Sequence, residues 1–312
     1  MDIVLLFPGQ GSQKPGMAKD LVDALPAARD VFQRVDDSLG TPLSRICFDG
    51  PADELTRTHN AQPALLAHGL AAWAATSGAL QGKVRAAAGH SLGEFTAYGA
   101  AGAIALEPAA KLVRRRGELM YEAGVRRPGA MAAVLGVLGE PIDALCDRAT
   151  SEAGTVVPAN YNSPEQVVIS GEVAGVDRAI ELVKAAGAKR AVKLNVSGAF
   201  HSPLMEFAQP GLTAALHDAS FRAASFPIYS NVTAQPVTSA KDAEALLLRQ
   251  LTSPVRWTDV VKRLATDHPK ALFVEMGPGN VLVGLVKRIA PQVATATCGT
   301  ASEVTQLLEQ VA

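Results

Sequence analysis

The chain has 312 residues, of which 48% are hydrophobic and 19% charged. That length and balance support one large or two unequal packed domains and exclude wholesale disorder. Lys and Arg total 29 against 30 Asp and Glu, a net charge of −1, which excludes nucleic-acid binding driven by bulk positive charge and leaves only a local basic patch for an acidic partner.

Aromatic residues are 5%, so the core must be built mainly from Ala, Val and Leu. Cys47, Cys146 and Cys298 lie far apart with no Cys-x-x-Cys pair. Neither a disulfide framework nor a zinc site is expected, and a reducing cytoplasm is the simplest location. The apolar run from Ile3 to Phe7 has strand length, lacks a basic leader and stops at Pro8-Gly9, so no signal peptide is expected. No apolar run is long enough to predict a membrane span.

Residues 2–7 predict a strand, followed by the loop Pro8-Gly9-Gln10-Gly11-Ser12-Gln13. Pro26 suits the first position of one helix, and Pro63 the start of another running to about Leu80. Residues 84–88 predict a buried strand that ends in a Gly-rich turn and leads into a helix. This alternation implies an α/β domain with a largely parallel sheet. Residues 129–195 differ. Strands are predicted from Met131 to Leu138, Thr155 to Asn160, Gln166 to Ser170 and Arg190 to Val196, with helices over 140–152 and 173–186. The order βαββαβ is that of a ferredoxin-like unit, which makes 128–196 a small domain inserted between 1–127 and 197–312. The larger pattern then resumes. A strand at 273–276, the turn Gly277-Pro278-Gly279, a helix through Lys287, a strand near 293–298 and a final helix from Ser302 complete the chain.

Gly89-His90-Ser91-Leu92-Gly93 is a G-x-S-x-G motif after an apolar strand and before a helix, the context of a nucleophile elbow. Glycines flank the serine because the turn is sharp and backbones approach closely. The helix begins just after Ser91, so the Leu92 N–H is a natural oxyanion donor. A serine needs a base, and six histidines compete. His90 adjoins the nucleophile and should leave the turn in another direction. His68 sits in an Ala/Leu-rich helix and reads as packed. His217 reads as solvated, and His59 and His268 are flanked by polar loop residues. His201 stands in a loop of small residues between a predicted strand and a helix, where catalysis and helix capping are both open roles. Arg116 falls within the apolar stripe of Leu112, Val113, Leu119 and Met120. A guanidinium there must find an anion or several acceptors; a ligand carboxylate and a structural pair with a buried Asp or Glu are both open.

Taken in order, Phe7-Pro8-Gly9-Gln10-Gly11-Ser12-Gln13, Gly89-His90-Ser91-Leu92-Gly93-Glu94, Arg116-Gly117, Gly129-Ala130-Met131, Phe200-His201-Ser202 and Gly277-Pro278-Gly279 resemble the malonyl-CoA:acyl carrier protein transacylases. The resemblance spans residue 3 to about 290. It implies an α/β-hydrolase-like large domain with a ferredoxin-like small domain, and transfer of malonyl from malonyl-CoA to the phosphopantetheine thiol of an acyl carrier protein. It implies Ser91 as nucleophile, His201 as base, Arg116 as carboxylate holder and the N–H groups of Gln10 and Leu92 as the oxyanion hole. It gives the main-chain carbonyl of Gln250 the task of orienting His201, and makes Asn162 a pocket residue from the small domain. Phe200, beside His201, is expected to crowd an α-methyl branch on the acyl group. No metal or cofactor is implied, and a monomer acting without nucleic acid or membrane is expected. Lys189, Arg190, Arg126 and Arg127 are the candidate cations for an acidic carrier.

The competing readings are an esterase or thioesterase on the same elbow, a trans-acting enzyme that loads a polyketide carrier, and a carrier-docking protein without turnover. An esterase gives no reason for Arg116 and would usually show a His-Gly-Gly-Gly-type loop, which is missing from the sequence.

Overall fold

The computed structural model describes all 312 residues. Ten strands follow in chain order: β1 (Ile3–Phe7), β2 (Val84–Gly89), β3 (Gly129–Leu135), β4 (Val156–Ser163), β5 (Gln166–Glu172), β6 (Arg190–Lys193), β7 (Ile228–Tyr229), β8 (Pro236–Val237), β9 (Leu272–Met276) and β10 (Ala294–Cys298). They form two sheets in a mixed α/β architecture. The larger has the order β10-β9-β1-β2-β7-β8 and is parallel except for the β7–β8 pair. The smaller is antiparallel, in the order β4-β5-β3-β6.

A parallel sheet must be covered on both faces, and β1 shows how the sequence does this. All five of its residues are buried. Ile3, Leu5 and Phe7 point into one cluster with Leu65, Leu66 and Leu70 of the helix Thr58–Leu80. Val4 and Leu6 point into the opposite cluster, with Trp257, Val261 and Leu264 of the helix Trp257–Asp267 and Leu282 and Val286 of the helix Val281–Ile289. The two-residue period of a strand thus divides one apolar run between two cores. The smaller sheet has a third cluster, in which Val134, Ile169 and Val156 meet Leu145 and Val183 of its two helices. No helix is long and apolar enough to cross a membrane.

Four sequence expectations need correction. Pro63 lies inside a helix that starts at Thr58, because the first turn closes earlier, with the N–H groups of Asn60 and Ala61 on the Arg57 carbonyl. β3 stops at Leu135 rather than 138. Gly136 takes φ +115° there and its N–H donates to the Glu165 carbonyl. β6 stops at Lys193, and Leu194 N–H turns to the Met131 carbonyl. His59 also belongs to the first helical turn, edge-on to Tyr121, and not to a loop.

The elbow brings backbones into contact. A Cβ on Gly93 would overlap the Phe7 carbonyl, and one on Gly89 would overlap the Gly93 carbonyl. Gly284, in the helix Val281–Ile289, has open space at the same point. Gly93→Ala should therefore cost about 3 kcal/mol of stability, since backbone cannot yield as a side chain does. Gly284→Ala should gain about 0.5–1 kcal/mol from helix propensity. Urea denaturation of the two variants checks the pair; equal and small effects would contradict the close approach.

Candidate active site

Binding groups in open α/β sheets gather beyond the carboxyl ends of parallel strands. Here the segments after β1, β2 and β7 deliver Gln10, Ser91 and Asn231 to one place. Ser91 has φ +50° and ψ −104°, a strained backbone for a residue with a Cβ. Asn231 holds that turn at both ends. Its Oδ1 accepts from the Ser91 N–H at 2.7 Å, and its Nδ2 donates to the Gly89 carbonyl at 2.7 Å.

The other histidines fall away from Ser91. His68 is buried with Nε2 2.8 Å from the Gly299 carbonyl, and His217 is exposed. His268 stacks edge-on to Tyr229. His90 leaves the turn toward the small sheet, where its Nε2–H donates to Asn162 Oδ1 at 2.8 Å. His201 is the one beside Ser91, with Nε2 2.8 Å from Oγ. Its Nδ1–H donates to the main-chain carbonyl of Gln250 at 2.9 Å, which leaves Nε2 unprotonated and able to accept the serine proton. His201 itself takes φ +57°. Ser202 caps the following turn, its Oγ accepting from Leu204 N–H and donating to the Ala199 carbonyl. Burial lowers the imidazole to about 3, and the Arg116 cation acts in the same direction.

Arg116 is fully buried but forms no ion pair with a carboxylate. Its Nη1 donates to Gln62 Oε1 at 2.8 Å. Its Nη2 donates to Gln250 Oε1 at 3.0 Å and to Ser91 Oγ at 3.1 Å. The cation also lies 5.1 Å from the Phe95 ring centre. Burial lowers its guanidinium to about 10, with nearby Glu94 opposing the shift. Ser91 Oγ thus accepts from a cation while donating to a neutral imidazole, an arrangement that favours the alkoxide.

Gln10, Leu92, Phe200 and Arg116 line one cavity of about 110 Å³ with Ser91 and His201. The backbone N–H groups of Gln10 and Leu92 take no part in turn or loop hydrogen bonds. Asn162 lines a second cavity, of about 380 Å³, which shares Gln10, His90, Asn160, Leu194 and Val196 with the first. The structure thus gathers Ser91, His201, Arg116, Gln250, Gln10, Leu92 and Phe200 around one point and sets Asn162 in the adjoining space. Sequence reasoning missed Gln62, Asn231, Glu94 and the side chain of Gln250. Only Glu94 carries a signal, as the one charged residue in the run Leu92–Ala100 that follows Ser91.

An imidazole held at about 3 makes a prediction independent of substrate. Burial raises Glu94 to about 7, so the measurement is made in Glu94→Gln, where labelling of Ser91 by a sulfonyl fluoride should stay flat between pH 7 and pH 5 because His201 remains neutral there. A histidine with an ordinary value would lose about thirtyfold of its neutral form at pH 5. A break near pH 6.5 in the labelling rate would contradict the assignment of that environment.

The chain is similar to known proteins over almost its whole length. The profile of the acyl transferase domain matches residues 4–304. The malonyl CoA-acyl carrier protein transacylase of Bacillus subtilis is 45% identical over 300 residues, which cover 94% of this chain and 92% of that protein. The acyl-carrier-protein S-malonyltransferase of Bartonella henselae is 40% identical and superposes with a TM-score of 0.95 over 100% of this chain and 99% of that one. A malonyl transacylase solved in complex with its type II PKS acyl-carrier protein is also 40% identical, with a TM-score of 0.94 over 99% of this chain and 100% of that one. The chain belongs to the acyl transferase family and, within it, to the malonyl CoA-acyl carrier protein transacylases.

Proposed function

We propose that the protein transfers a malonyl group from malonyl-CoA to the phosphopantetheine thiol of an acyl carrier protein, through a malonyl ester on Ser91. The observation that carries this reading is a buried guanidinium with no carboxylate partner, 3.1 Å from the nucleophilic oxygen. His201 Nε2 takes the Ser91 proton as Oγ attacks the thioester carbonyl carbon. The oxyanion forms against the N–H groups of Gln10 and Leu92. The tetrahedral adduct collapses, the C–S bond breaks, and His201 returns the proton to the departing CoA sulfur. The carrier thiol then attacks the ester by the same route in reverse. Acyl and proton move while no electrons change hands, so the route calls for neither metal nor redox cofactor.

The 110 Å³ cavity suits a short acyl group, with Met120, Met131 and Phe200 as its apolar wall. The adjoining cavity, with Gln10, Asn160, Asn162 and Gln166, offers amides to the pantetheine arm. In domain terms, 128–196 is proposed as an inserted ferredoxin-like unit in an α/β-hydrolase-like body formed by 1–127 and 197–312. The strand order β4-β5-β3-β6 and the separate core of the small sheet support it. Three unpaired buried cysteines accord with work in the cytoplasm. A relative of 40% identity was solved with a polyketide carrier, so such a carrier is the second acceptor to assay.

Two predictions follow from the charges. Arg116→Ala should lower malonyl loading about a hundredfold or more, the usual scale for removing one partner of a buried charge pair. Acetyl loading should change far less, so the malonyl-to-acetyl ratio of kcat/KM collapses. An unchanged ratio would make Arg116 a structural residue. Among the docking cations, Arg127 is paired with Glu172 at 3.2 Å and Arg126 lies over the Phe207 ring at 3.8 Å. Lys189 and Arg190 are exposed and form no ion pair. Salt should therefore slow transfer to the carrier protein more than transfer to free pantetheine, and Lys189→Glu with Arg190→Glu should remove the difference. Equal salt slopes in the unmodified protein would count against electrostatic docking.

A further inference from the structure

Glu94 lies on the first turn after the nucleophile and is wholly buried. Its Oε2 accepts from Gln250 Nε2 at 2.7 Å and from the Asn231 N–H at 3.1 Å. Those two residues hold everything that must stay in register. Asn231 closes the serine turn at Gly89 and Ser91. Gln250 holds Arg116 through Oε1, His201 through its main-chain carbonyl, and the Ser91 carbonyl through Nε2 at 3.0 Å.

The two ends of a glutamine amide have nearly the same shape, so neighbours decide which end faces where. If the Gln250 amide turned over, its NH₂ would meet the Arg116 guanidinium, donor against donor. Its carbonyl would meet Glu94, the Ser91 carbonyl and Asn231 Oδ1, all of them acceptors. Of these three acceptors only Glu94 can carry charge, and it makes the shortest contact. Charge-assisted hydrogen bonds are the strong ones.

We propose that Glu94 is a positioning residue for acyl-group selection: its carboxylate fixes the Gln250 amide so that a carbonyl, and not an NH₂, faces Arg116. Through that amide the anion balances the guanidinium without touching it, which leaves the cation free for the carboxylate of an incoming acyl group. A direct Glu–Arg pair would compete with that carboxylate; an interposed neutral amide does not. Burial raises the Glu94 carboxyl to about 7, and the hydrogen bonds from Gln250 and Asn231 and the Arg116 charge work against that shift, so the anion predominates at pH 8, where the test is run. The proposal rests on the malonyl-transfer reading above and adds a residue that does not itself touch the acyl group.

The test compares Glu94→Gln and Glu94→Asp with the unmodified enzyme, using single-turnover loading from malonyl-CoA and acetyl-CoA. Thermal melting checks that each variant is folded. In Glu94→Gln the charge that orients Gln250 is gone. Malonyl kcat/KM should fall about tenfold to a hundredfold, the scale of one charge-assisted hydrogen bond, and the malonyl-to-acetyl ratio should fall with it. Glu94→Asp keeps the charge and should recover much of the ratio, even if its rate is lower. A residue that served only to stabilise the fold would lower loading of both acyl groups alike, so an unchanged ratio in Glu94→Gln overturns the proposal. A collapsed ratio in Glu94→Asp equal to that in Glu94→Gln also overturns it, because charge would then not be the property that matters. If the unmodified enzyme fails to load malonyl at all, the functional reading fails instead, and the two failures are distinct.

Discussion

A guanidinium buried without a carboxylate beside it is the constraint around which this site is organised. The cost of burying a cation unpaired is several kcal/mol, and Arg116 is held against that cost by two neutral amide carbonyls, a serine oxygen and an aromatic face. Such a cation is solvated well enough to stay folded and poorly enough to favour an incoming anion. In the proposed reaction, its placement beside Ser91 makes that anion part of the reacting molecule. Selectivity built on an unpaired buried charge greatly exceeds what one methylene of pocket size provides.

The elbow supplies the other half. Close backbone contact among Phe7, Gly89 and Gly93 forces Ser91 into a strained turn, and Asn231 ties both ends of that turn. The same geometry places the serine oxygen between an imidazole acceptor and a guanidinium donor, with two free backbone N–H groups on the cavity wall. Gln250 links the halves. Its backbone holds His201 and its side chain holds Arg116, so a shift at this one residue reaches both.

Much of this was legible in the sequence, for reasons that differ by residue. The strand β1 and the elbow were readable because an apolar five-residue run and a G-x-S-x-G carry strong local patterns. Arg116 stood out because a charge on an apolar stripe breaks the helix period. His201 was ambiguous from spacing alone, and the family resemblance supplied its role. Asn231 and Gln62 were not readable, since an amide in a loop or a buried helix gives no periodic signal and finds its partners across 140 and 54 residues of chain. The Gln250 side chain is equally silent in sequence, because its partners Arg116 and Glu94 lie 134 and 156 residues away. Element ends shifted where single hydrogen bonds decided them, as at Gly136 and Leu194.

The central claim is a covalent malonyl ester on Ser91, and intact mass measurement reaches it most directly. The protein is mixed with malonyl-CoA in the absence of any carrier, quenched in acid and weighed, and the adduct is then located by peptide mapping. The account predicts one malonyl group per chain, on the peptide that contains Ser91. Unmodified protein with free malonate in solution would show a hydrolase, and unmodified protein with intact malonyl-CoA would show a binding protein; either result contradicts the account.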